Sequence, residues 1–337
     1  MENGTKSARV TIRTVAQDAG VSVSAVSKVL RDAYGVSDDL RERVNRSISR
    51  LGYRPSMAAR SMRGRTHTVG ILLVEMENPF LPVVVSGIMD QLAEANYKSM
   101  LAVGRADMMI ETSLIDSMLD FRMDGIILVA PRLKGALLSK YAKQIPTVVV
   151  GHHEPDSTDF DTVNGNDVEA MRQIVRRVHR DGRRRIEMVS IDRSTNESDV
   201  SYQREVGYTA EMTALGLVDH IRINRLSEQH KRDAVAPLVA RPDQPEAYVC
   251  WSDLHGIDLV SQGRAKGWRI PSEITVVGFD DSPAAALPQI DLASYNHDGA
   301  RQGAEATRLL LSRIEGRSEA QHVLVDGELI ERSSLTA

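Results

Sequence analysis

The chain has 337 residues, with 42 Lys/Arg against 46 Asp/Glu, a formal net charge of -4 and one cysteine. That length leaves room for more than one core, and a lone cysteine, Cys250, excludes a disulfide framework and fits a reducing compartment. No apolar run approaches the roughly 18 residues of a membrane span, and no apolar signal core opens the sequence, so a soluble cytoplasmic protein without membrane partners is expected.

The small net charge hides an asymmetry. Residues 1–65 hold 13 Lys/Arg against 6 Asp/Glu, and the remainder holds 29 against 40. A basic head on an acidic body is what phosphate binding by one end alone requires.

The head reads as three helices. Thr11 is placed to cap a helix with Val15, Ala16 and Ala19 on one face, and Gly20 permits the turn that ends it. Ser22 caps a second helix with Val26, Val29 and Leu30 inward. Ser37 caps a third, along which Leu40, Val44, Ile48 and Leu51 recur at one-turn spacing. An ordinary αα-hairpin shares this periodicity, but the outward polar set on the second helix points to a helix-turn-helix. With that helix in a major groove, Val23 would meet a thymine methyl, Ser24 a base edge and Lys28 guanine acceptors. Arg13, Ser22 and Ser27 suit backbone phosphates, although Ser22 and Ser27 equally suit a cap or a solvated face. After Tyr53-Arg54-Pro55, a short helix capped by Ser56 and running from Met57 to Arg63 is too brief to be stable alone. Its Arg60 and Arg63, with Arg65, would serve the DNA backbone and its Met62 would enter a widened minor groove, with Ala59 in the same hinge element. The alternative is a solubilised linker.

These segments, AGVSVSAVSKVL, VSDDLRERV and LGYRPSMAARSMR, resemble the lactose-repressor (LacI) family of bacterial transcription regulators. The resemblance continues through VGILLVEMENPF, DGIILV and VVGFDDSP and so covers nearly the whole chain. It implies base reading at Val23, Ser24 and Lys28, and minor-groove insertion at Met62, where leucine is usual. Lys28 stands where arginine is common and lacks the rigid guanidinium fork, which makes the operator sequence less predictable.

From residue 66 onward apolar strands alternate with amphipathic helices, and after about residue 162 the pattern restarts. The fold class expected is α/β: a helix-turn-helix head (1–55), a hinge (56–65), and two Rossmann-like lobes with mostly parallel sheets, similar to periplasmic binding proteins. Lobe 1 is assigned to residues 66–162 plus 291–320, and lobe 2 to 163–290 plus 321–337. A ligand of such a fold sits at the carboxyl ends of the strands, between the lobes. The resemblance implies effector contacts at Arg204 and Asp280, which together suit the vicinal hydroxyls of a sugar. Phe80, Arg105, Asn166, Ser252, Asp253 and His297 complete the candidate set. Arg204 with Arg105 would also suit a sugar phosphate or sugar acid, so the effector class stays open.

No nucleophile elbow, phosphate loop or H-E-x-x-H is found, so no catalytic residues and no cofactor are expected. His152-His153-Glu154 is a local cluster without a third ligand fixed by sequence, and no metal is assigned to it. The expected partners are a second copy of the chain, a pseudo-palindromic operator and a small effector, most simply a sugar, polyol or sugar derivative. Whether the regulator represses or activates, and whether the effector releases DNA or promotes binding, the residues leave open.

Overall fold

The structure is a computed structural model describing residues 10–30, 33–53, 65–192, 196–227 and 234–336. The chain divides into two compact units, Met1–Thr66 and His67–Ala337. The hinge candidates Ser56, Met57, Ala59, Arg60 and Met62 lie outside the described residues.

In the first unit, α1 (Ile12–Asp18) starts at a reciprocal capping box. The Thr14 amide donates to the Thr11 hydroxyl and the Thr11 amide to the Thr14 hydroxyl, both at 3.3 Å. Gly20, at φ 64°, turns the chain into α2 (Val23–Leu30), whose Ala25 amide donates to Ser22 Oγ at 3.1 Å. α3 (Asp38–Leu51) is capped by Ser37, carries Asp38 and Asp39 in its first turn, and ends on Gly52 at φ 63°. Acid at the amino end and Arg50 at the carboxyl end both complement the helix dipole. Val15, Val26 and Val44 are fully buried where the three helices meet, with Tyr53 closing the cluster. Asp18 at the end of α1 accepts hydrogen bonds from Ser47 and Arg50 of α3, which ties the first helix to the third.

The second unit is built from two sheets of the same plan. Sheet 1 contains β1 (Thr68–Leu73), β2 (Lys98–Val103), β3 (Gly125–Val129), β4 (Thr147–Val150), β5 (Asp161–Gly165) and β11 (His322–Val325), ordered β11-β5-β4-β3-β1-β2. Sheet 2 contains β6 (Ile186–Ile191), β7 (Ile223–Leu226), β8 (Ala247–Cys250), β9 (Thr275–Phe279), β10 (Ala293–Asn296) and β12 (Glu328–Ile330), ordered β12-β10-β9-β8-β6-β7. Within the two sheets the strands pair in parallel except β10 with β12. Both sheets therefore begin with the doubly wound order 2-1-3-4-5, which opens a crevice where the winding reverses. Helices α4 (Leu81–Glu94), α5 (Met108–Asp120) and α6 (Gly135–Ala142) follow the strands of the first lobe. Helices α7 (Asp167–Arg180), α8 (Val200–Ala214), α9 (Ala236–Ala240) and α10 (Asp253–Ala265) follow those of the second. The long α11 (Gly299–Ile314) returns to α4. There Gly87 and Gly303 let the backbones touch: a Cβ on Gly303 would lie 2.2 Å from the Val84 carbonyl oxygen, and one on Gly87 equally close to that of Ala300.

The crossings between lobes differ from the sequence assignment. β5 runs to Gly165 in the first sheet, so the first crossing falls at residue 166. Residues 291–298 do not return to lobe 1, because Ala293–Asn296 pair with β9 as the fifth strand of sheet 2, and the chain crosses only before Gly299. His322–Val325 pair with β5 and belong to lobe 1, which moves the last crossing beyond residue 325. The physical reason is common to all three. A buried parallel edge must have its N–H and C=O groups satisfied, and these short segments supply the missing edge.

Candidate functional site

On the head, α2 presents Val23, Ser24 and Lys28 to solvent, while Val26 and Val29 are buried. Val23, 38% exposed, is an apolar group that the bundle does not absorb. Arg13 and Ser22 are also exposed, but Ser22 Oγ is already engaged as the cap of α2 and lies 2.8 Å from Ser24 Oγ. Ser27 departs from the expected phosphate-contacting set. It is 6% exposed and buried beside Val26, so it is not presented to solvent with Ser24 and Lys28.

In the second unit, one cavity of about 60 Å³ opens at the carboxyl ends of strands from both sheets. Its walls come from the segments just after β1 (Glu75, Asn78, Phe80), β8 (Trp251), β9 (Asp280) and β10 (His297), together with Asp167, Arg204 and Gln302 from helix starts. The sequence places helices directly after these strands, so the polar side chains at the joints all face the crevice.

Arg204 is the pivot. Its Nε donates to Asp167 Oδ1 at 2.7 Å, its Nη1 lies 3.8 Å from Asp280 Oδ1, and it donates to the Trp251 carbonyl. The guanidinium carbon sits 3.6 Å from the centroid of the Phe279 ring, and only 3% of the side chain is exposed. Asp167 is held on its other oxygen by His153 Nε2 at 2.7 Å. Burial pushes the Asp167 carboxyl up, but the Arg204 charge and His153 pull it down further, so it ends well below the usual carboxylate range.

Asp280 links the lobes. Asn78 Nδ2 donates to its Oδ2 at 3.3 Å, and His297 Nε2 lies 3.2 Å from its Oδ1. Gln302 Nε2 donates to His297 Nδ1 at 3.0 Å, so the tautomer protonated at Nε2 satisfies both contacts. The His297 ring stacks on Phe80 with centroids 4.1 Å apart and an interplanar angle of 18°.

Phe80, Arg204, Asp280 and His297 are therefore brought together from the candidates read in the sequence. The other four are placed elsewhere. Arg105 is exposed after β2, the edge strand of sheet 1, and does not line the cavity. Asn166 lies in the first crossing, where its Nδ2 donates to Asp326 Oδ1 at 3.4 Å, and its neighbour Asp167 faces the cavity instead. Ser252 precedes α10, fully buried, with Oγ 3.4 Å from His255 Nδ1. Asp253 stands behind the cavity wall, accepting from the Ser282 amide at 2.7 Å and the Ser294 hydroxyl at 2.5 Å. Burial and the negative charge of Asp280 push the Asp253 carboxyl up. Sequence reasoning missed Asn78, Asp167, Trp251 and Gln302. An acid one residue into a helix after a strand was the available signal for Asp167.

The other candidate chemistry is locally occupied. His152 Nε2 lies 2.9 Å from Glu154 Oε2 while His153 turns to Asp167, and no group of three or more metal-ligating side chains forms among the described residues. Cys250 is buried in β8, and burial pushes its thiol up. No helix of the described residues is long and apolar enough to cross a membrane.

With both surfaces described, their relatives are decisive. Residues 11–56 match the bacterial regulatory proteins of the lacI family, and residues 175–335 match the periplasmic binding protein-like domain. The chain therefore carries a lacI-family regulatory head and a periplasmic binding protein-like domain. It is 27% identical over 336 residues to the HTH-type transcriptional repressor PurR of Erwinia tasmaniensis, with 96% of each chain covered. Among solved structures it is similar to the transcriptional regulator CelR in complex with cellobiose, at 27% identity, 97% of this chain, 100% of that one and a TM-score of 0.70. It shares the fold of the lac repressor dimer bound to operator and the anti-inducer ONPF, at 19% identity and a TM-score of 0.82, with 97% and 99% of the two chains covered. The chain thus combines a DNA-binding head with an α/β effector-binding domain of two parallel-sheet lobes.

Proposed function

We propose that this chain is a cytoplasmic lacI-family repressor that binds a pseudo-palindromic operator as a homodimer and changes its operator affinity when a sugar or polyol enters the interlobe cavity. The observation that carries the reading is Asp280, a 6% exposed carboxylate whose two oxygens hold Asn78 of one lobe and the His297 crossing. A ligand hydroxyl donating to Asp280 competes with those bonds, so binding alters the contacts that set the lobes against each other. Arg204 fixes that wall, and Phe80 offers an apolar face to a sugar ring.

In the head, Val23, Ser24 and Lys28 are the base-reading residues of the proposal, with Arg13 and Ser22 toward phosphates. Ser56, Met57, Ala59, Arg60 and Met62 form its hinge and minor-groove element. For the dimer, the first lobe offers an apolar groove of about 250 Å³ that includes Met76, Met89 and Leu101, each more than two-fifths exposed. A closed two-fold pair of heads calls for two-fold DNA.

The test is fluorescence anisotropy on DNA from upstream of the chain's own coding region, with and without a panel of sugars and polyols. Specific binding that one panel member changes at least about tenfold supports the proposal. Binding that responds to none of them contradicts the sugar assignment, and no specific binding contradicts the operator assignment.

A further inference from the structure

We infer that the cavity accepts an uncharged sugar or polyol and rejects its anionic derivatives, sugar acids and sugar phosphates alike. This rests on the sugar-binding reading above and narrows the class of ligand within it. The sequence leaves both classes open because Arg204 and Arg105 together would make an anion site. In the structure Arg105 is exposed outside the cavity, and Arg204 is the one Lys or Arg among the described lining residues.

Arg204 is not available to an anion. Asp167 accepts from its Nε at 2.7 Å, Asp280 stands 3.8 Å from Nη1, and the Trp251 carbonyl takes a further donor. Phe279 covers its face at 3.6 Å. Its charge is thus offset twice, and several of its N–H groups are spent. Asp167 and Asp280 together face one guanidinium, a formal balance of -1 with imidazole left out of the count. An incoming carboxylate or phosphate would meet like charge in a cleft that screens it weakly.

The chemistry of Asp280 points the same way. Its two contacts, 3.3 Å to Asn78 and 3.2 Å to His297, are long for bonds to a carboxylate, and both oxygens can only accept. A sugar hydroxyl brings the donor proton they call for and forms a shorter bond. A carboxylate or phosphate dianion brings acceptors to an acceptor. Neutral hydroxyls therefore gain at the atoms where anions lose.

The experiment titrates the full-length protein by calorimetry with matched sets: glucose, glucuronate and glucose 6-phosphate; galactose, galacturonate and galactose 6-phosphate; ribose and ribose 5-phosphate; and cellobiose as a further neutral sugar. In any set that binds, the neutral member is expected to bind at least about tenfold tighter than its anions. Asp167→Asn removes one of the two carboxylates on Arg204 and should shrink that ratio by roughly tenfold. An anionic member that binds as tightly as its neutral partner, or tighter, overturns the inference while the sugar-binding reading stands. Should no member of any set bind, the sugar-binding reading itself fails and the inference falls with it. The wild-type ratio decides the matter even if the variant does not fold.

Discussion

Asp280 has a backbone φ of 109° and Asp281 one of 48°, conformations that side chains seldom adopt. Each costs about 1–3 kcal/mol, which surrounding bonds must offset. Asp253 does this from behind the cavity: one oxygen holds the Ser282 amide, the other the Ser294 hydroxyl, and that hydroxyl accepts from the Asp281 amide at 2.9 Å. Asp253→Ala should lower the Tm of the core domain by several degrees, and weaken calorimetric binding of whichever sugar the wild type binds by about tenfold or more. Unchanged sugar affinity would separate Asp253 from the cavity. A second acid gives a pH prediction. Glu111 of α5 is fully buried, accepts from the Arg132 amide at 2.9 Å through one oxygen and leaves the other without a partner. Burial pushes its carboxyl up to about 7 from 4.5. The folded state then holds its proton more tightly than the unfolded chain does, so this group's contribution is fullest below about pH 4.5 and is lost as pH rises towards 7. Glu111→Gln should therefore raise Tm more at pH 8 than at pH 5, with a gain at pH 8 on the order of 1–3 kcal/mol. An equal shift at both pH values would contradict that reading.

At the level of elements, what the sequence discloses depends on length and periodicity. The capped helices of the head and the fully buried β1, β3 and β4 follow from Thr11, Ser22 and Ser37 and from unbroken apolar runs. β11 and β12 are 4 and 3 residues long and only partly buried, too short for alternation to mark them. Their places are decided by which sheet edge lacks a partner, which is tertiary information. The same holds for Ala293–Asn296, whose assignment to lobe 2 comes from pairing with β9. The junction of α4 and α11 was equally silent, because Gly87 and Gly303 lie more than two hundred residues apart. Gly303→Ala forces a methyl against the Val84 carbonyl and should destabilise the core domain by about 1–3 kcal/mol, read as a fall in Tm. A wild-type Tm would show that the two helices separate at little cost.

At the level of the whole molecule, the proposed function is divided between a head that reads DNA and a body whose crevice would hold the effector, each built by rules local to it. The split charge of the sequence already separates them, and the cavity pair Arg204 and Asp280 was reachable through family resemblance. Asn78, Trp251 and Gln302 were not, because a crevice wall is assembled from joints scattered over the fold. In the head, Lys28→Ala should weaken a specific operator by about 10- to 100-fold while changing random-sequence DNA far less, as filter binding at fixed salt would show. The central claim is that the crevice governs the head, and one measurement tests it most directly: operator affinity of wild type and Asp280→Ala, each with and without the sugar that the wild type binds. The account predicts a sugar-dependent change in the wild type and none in the variant, which still dimerises and binds operator. An undiminished sugar response in Asp280→Ala would contradict it.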